Sequence, residues 1–178
     1  MPIFVLVHGS WHDGTLWADV AARLTEQGHE VHCPTVAGHG PGDARDVSHD
    51  DCVASITTYL DEHELDDFVL VGHSLGGSVI ARVAERVPDR IRRLVFFNAF
   101  VPANGTSVLD NTPLAYQELF PQLAAQTTAN TVMLPFEVWR DAFIGDADLA
   151  RAQETYDLLT PSRCARQPRS RTSRSSTR

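Results

Sequence analysis

No lysine occurs in this 178-residue chain, no histidine follows His73, and no carboxylate follows Asp157. The three cysteines, Cys33, Cys52 and Cys164, are odd in number and lack C-x-x-C spacing, which argues against a disulfide framework or a zinc site. No stretch approaches the roughly 20 apolar residues that span a bilayer. The N-terminus, MPIFVLVHGS, has neither a basic n-region nor a long apolar run. A soluble, single-domain, cytoplasmic protein with no membrane partner is the expectation.

All 15 basic residues are arginines, and six of them lie in residues 163–178, where there is no acid. The residues before them carry nine arginines against 23 acids, a net of −14. Such a body repels the phosphates of nucleic acid and anionic lipid, which bind clustered cations. Small neutral or apolar partners suit it better. The loop GHGPGD (38–43) has glycines but neither the G-x-G-x-x-G nor the G-K-[ST] spacing of a phosphate cradle.

What is present is an alternation of strand and helix patterns. PIFVLVH (2–8) reads as a strand buried on both faces. Leu16, Val20 and Leu24 then mark one face of a helix that stops at Gly28. HEVHCPTV (29–36) is a short second strand. Ser48, three residues before Asp51, caps a helix that shares Val53, Ile56 and Leu60 on one face. DFVLVG (67–72), LGGSVIARVAERV (75–87) and RRLVFFN (92–98) continue as strand, helix, strand. This order predicts an α/β fold with a parallel sheet and flanking helices. After Pro102 the pattern turns helical, with no good strand over 103–160. The expected organisation is a core over 1–102, a helical cap over 103–161 and a disordered Arg/Ser-rich tail over 162–178.

Gly72-His73-Ser74-Leu75-Gly76 stands between the third strand and the third helix. A turn this sharp holds a serine hydroxyl out at the carboxyl end of the sheet, above a helix N-terminus that favours a developing oxyanion. Upstream, His8-Gly9-Ser10 ends the first strand, so the backbone N–H of Ser10 is expected to pair with that of Leu75 as an oxyanion hole. Ser74 is the expected nucleophile.

VLVHGSWHDGTLW, PTVAGHG, VGHSLGG and FFNAFVP together resemble the α/β-hydrolase superfamily, in its branch of methylesterases, hydroxynitrile lyases and bacterial esterases, from about residue 3 to about residue 161. The resemblance implies a serine carboxylic-ester hydrolase acting on small-molecule esters, without metal or organic cofactor. In lyase members a threonine follows the histidine of the first motif; Gly9 holds that position here and favours an esterase.

The family's serine–acid–histidine order also implies a late histidine and further strands after the cap, which this sequence lacks. Three readings fit. The chain is truncated or frameshifted after LTP and catalytically impaired; or an earlier histidine substitutes, with His12 best placed on the oxyanion loop and His8 second; or the protein binds a ligand or partner without turnover. Missing strands would leave RRLVFFN as an apolar sheet edge open to self-association.

Overall fold

The computed structural model describes residues 1–163. Four parallel strands form one sheet in the order β2-β1-β3-β4: β1 is Ile3–Val7, β2 Glu30–His32, β3 Phe68–Ser74 and β4 Ile91–Ala99. The α/β expectation from the strand-helix alternation holds. The sheet's alternating side chains separate two faces. Val5, Val7, Phe68 and Leu70 pack with Val53, Ile56 and Leu60 of α2 (His49–Glu62) and Val79, Ile80 and Val83 of α3 (Leu75–Arg86). All ten are essentially inaccessible, and each contributes roughly 1.5–3 kcal/mol of burial. This layer is the main core.

Helix α2 begins as the sequence implies. Ser48 accepts from the Asp51 N–H while the Asp51 carboxylate accepts from the Ser48 N–H, a reciprocal capping box. Helix α3 ends before Pro88, which cannot continue it.

The first helix departs from expectation. A 3-10 turn over Gly14–Trp17 leads into α1, Ala18–Glu26, and Gly28 takes φ +85° just beyond its end. Yet Leu16 and Val20 remain 41% and 42% exposed, and α1 buries no residue. The helical period is right, but among the described residues only Leu24 of that face is half-buried, and Leu16 and Val20 stay uncovered. Strand β4 shows the same feature: among the described residues it pairs only with β3, and Phe97 is 57% exposed at the sheet edge.

The cap contains α4 (Leu114–Ala124), α5 (Phe136–Phe143) and α6 (Leu149–Asp157). A separate apolar cluster gathers Trp11, Ala124, Val132, Leu134, Trp139 and Leu159. The reading of residues 103–160 as free of strand is corrected here. Thr131–Val132 (β5) pairs antiparallel with Ser162–Arg163 (β6), two strands too short to leave an alternating pattern. Ser162 and Arg163 are therefore ordered rather than part of a disordered tail; the remainder of that tail lies outside the described residues.

Candidate active site

Ser74 ends β3 and caps α3 with φ +51° and ψ −121°, a conformation that costs a non-glycine residue of order 1–3 kcal/mol. The glycines around it make this corner possible by close approach. A Cβ on Gly72 would stand 2.7 Å from the Gly76 carbonyl oxygen, and one on Gly76 would stand 2.6 Å from that of His8. The Phe100 N–H donates to the Ser74 carbonyl at 2.9 Å, tying the elbow to the chain leaving β4.

The loop after β1 lies directly on Ser74. A Cβ on Gly9 would be 2.8 Å from the Ser74 Cβ, so this backbone has no room for a threonine there without a shift. Trp11, at φ +64°, donates from its indole to the Val132 carbonyl at 2.9 Å and accepts at its own carbonyl from the Thr160 N–H at 2.8 Å. The middle and the end of the cap thus hold the loop in place. Ser10, Ser74 and Leu75 line a single cavity of about 290 Å³ with Val79, Val108, Leu109, Tyr116, Phe120 and Phe143. As the first residue of α3, Leu75 carries an N–H with no acceptor inside the helix.

The histidines are distributed differently from the sequence reading. His8 is fully buried; its Nε2 accepts from the Val36 N–H at 2.9 Å, so the proton sits on Nδ1 and is donated to the Gly9 carbonyl at 2.8 Å. With both nitrogens engaged, His8 is a strut for the loop. His12 bonds the Ser10 carbonyl through Nδ1 at 2.8 Å and packs its ring on Trp139, and it is not among the residues lining the cavity. His73 lies between Trp17 and Phe97 on the α1 side of the sheet, away from the cavity.

The imidazoles on the cavity wall are His39 and His49. Ser78 donates its hydroxyl proton to the Leu75 carbonyl at 2.8 Å, so His49 must donate from Nε2 to the Ser78 oxygen at 3.0 Å. Among the described residues, no histidine hydrogen-bonds the Ser74 hydroxyl. Cys52 also lines the cavity, but burial pushes its thiol up to about 11, so it stays protonated. Asp110 is engaged locally, accepting from the N–H and hydroxyl of Ser107 at 2.8 Å each.

Burial pushes the His8 imidazole down to about 4. Unfolding frees this ring to protonate near its ordinary value, so the unfolded chain binds the extra proton between those two pH values. Stability from neutral His8 is therefore complete above about pH 6.5 and is lost as pH falls toward 4, by up to roughly 3 kcal/mol. Urea unfolding at pH 7.5 and pH 4.5 is expected to show that loss, and to show a smaller one in His8→Gln.

This arrangement of a strand-turn-helix corner, an overlying loop, a cap and a cavity recurs in known proteins. Residues 4–177 match the model of the alpha/beta hydrolase family, and the chain belongs to that family. Among relatives, it is 42% identical over 129 residues to the carbendazim hydrolyzing esterase of Nocardioides sp., a match covering 71% of this chain and 52% of the relative. It is 29% identical over 167 residues to salicylic acid-binding protein 2 of Nicotiana tabacum, covering 89% and 62%. An extracellular alpha/beta-hydrolase from a Paenibacillus species superposes with a TM-score of 0.89 at 43% identity, covering 91% of this chain and 67% of that one. The chain thus spans about half to two thirds of the length of these relatives. No helix among the described residues is long and apolar enough to cross a membrane.

Proposed function

We propose that this chain is a serine-dependent hydrolase of small carboxylic esters that works slowly. The observation that carries it is Ser74, held at positive φ on the wall of an apolar cavity beside Ser10 and Leu75. Ser74 attacks the ester carbonyl, the N–H groups of Ser10 and Leu75 stabilise the oxyanion, and water releases the acyl group. Phe120 and Phe143 suit an apolar acyl or aryl portion. Slowness follows from the Ser74 hydroxyl having no imidazole partner among the described residues, since a protonated serine is a weak nucleophile. His12 keeps a free Nε2 while its Nδ1 bonds the Ser10 carbonyl, but it would serve as base only after its ring swings from Trp139 into the cavity. The test is p-nitrophenyl acetate hydrolysis with detection of acyl-Ser74.

The same missing contact favours a second reading, ligand binding without turnover, and one relative is named for binding salicylic acid. An ester that raises the melting temperature and is recovered intact supports that reading over the first.

The division into a core over 1–102 and a cap over 103–161 is supported by their two separate apolar clusters. Free thiols at Cys33 and Cys52 are compatible with the cytoplasm. The acidic body favours small esters over nucleic acid as partners. A second copy of the chain is a further partner, through the unpaired edge of β4 with Phe96 and Phe97. Light scattering after size exclusion is expected to give dimers or larger species; a monodisperse monomer at every concentration tested overturns self-association.

A further inference from the structure

A second serine, Ser162 of β6, lies on the wall of the same cavity, and its hydroxyl is 3.4 Å from the Nε2 of His39. Both residues are 3% exposed, so this hydroxyl meets the cavity rather than bulk water. The imidazole is oriented for the role of a base. Its Nδ1 bonds the Ala37 carbonyl at 3.1 Å, which places the proton on Nδ1 and leaves a lone pair on Nε2 toward the serine. Burial holds the ring below its ordinary pKa, so it is neutral at pH 7.

Ser162 is held there by its neighbours. Val132 pairs with it across the short sheet, and Arg163 donates to the Val47 carbonyl at 2.8 Å and pairs with Asp46 at 2.6 Å. Thr160 adds a contact from its hydroxyl to the His39 carbonyl at 3.3 Å. A separation of 3.4 Å is long for a hydrogen bond, as resting serine–histidine pairs often are before substrate arrives.

We propose that Ser162 and His39 form a second acyl-accepting pair in this cavity, taking the acyl group of small activated esters. The Ser162 oxygen attacks the ester carbonyl carbon, and its proton passes to Nε2 of His39. The bond to the leaving alcohol then breaks, and His39 returns that proton to the departing oxygen. The products are acyl-Ser162 and the free alcohol. A backbone carbonyl on Nδ1 stabilises the imidazolium less than a carboxylate does, so acylation is slow and the adduct persists. This goes beyond the Ser74 reading and stands or falls separately from it.

The chain's lack of lysine makes the test direct, because trypsin then cuts only at arginine. Ser74 falls in the peptide 46–82 and Ser162 in the peptide 152–163. In Ser74→Ala treated with p-nitrophenyl acetate, an acetyl group is expected on Ser162, located by fragmentation of the second peptide. Adding His39→Ala is expected to slow this labelling at least tenfold, and free imidazole to restore it. His39→Gln, which keeps an amide of similar reach, replaces His39→Ala should the latter melt early. Absence of acetyl on Ser162, labelling unchanged by loss of the imidazole, or failure of imidazole to restore it overturns the proposal. Acetyl placed on Ser74 by fragmentation of peptide 46–82 from the unsubstituted protein bears on the Ser74 reading and not on this one.

Discussion

Ser74→Ala is expected to erase the acyl adduct from peptide 46–82 completely while lowering p-nitrophenyl acetate turnover by less than about tenfold. The two readouts diverge for a physical reason. In serine hydrolases the nucleophile and its base act as a unit, and removing either leaves roughly 10³ to 10⁴ over water from the oxyanion hole and binding. The Ser74 hydroxyl hydrogen-bonds no histidine among the described residues, so on the proposed reading the unsubstituted chain is expected to sit near that residual level. Deacylation needs the same base to activate water, so a slowly formed acyl-Ser74 accumulates and is visible by mass spectrometry. Turnover near the common enzyme value of about 10 s⁻¹, lost on substitution, would show that a base does reach Ser74 and would end the claim of slowness. An adduct located by fragmentation on another residue of the unsubstituted protein, with none on Ser74, would remove Ser74 as nucleophile.

Gly76→Ala is expected to destabilise the fold by about 3 kcal/mol or more. The added Cβ would stand 2.6 Å from the His8 carbonyl oxygen and 2.7 Å from that of Val7. Both are main-chain atoms at the end of β1, the strand paired on both sides, so neither yields without moving the sheet. Gly42→Ala is the matched control: Gly42 also needs care, at φ +80°, but its Cβ would meet nothing within 4 Å. There the cost is conformational alone, about 1–2 kcal/mol. Thermal melts should separate the two, at roughly 2–4 °C per kcal/mol for a domain of this size. Equal melting temperatures would show that α3 is free to slide away from β1.

Features written into contiguous residues were legible in advance. The Ser48 and Asp51 capping box, the buried face of Val53, Ile56 and Leu60, and the sharp strand-to-helix turn at Ser74 all follow from short-range spacing and sterics. The α1 face shows where such reasoning stops. Leu16 and Val20 have the helical period, but burial depends on what packs against a helix, and the described residues supply no partner for that side. Strand β5 was illegible because two residues carry no alternation; its partner β6 lies beyond two intervening helices.

The candidate site divides in the same way. The strand-turn-helix sequence by itself determined the sharp corner at Ser74, because the glycines on either side leave room for the close approach of β1, β3 and α3. Which imidazoles face the cavity was decided by tertiary structure alone. His8 and His12 lie beside the loop in sequence yet are bound to its carbonyls or to a backbone amide. His39 is turned toward Ser162, and His49 toward Ser78, by contacts between distant segments. The acceptor of a ring's protonated nitrogen can lie one or two residues away, as for His8, His12 and His39, but what the other nitrogen meets is set by segments distant along the chain.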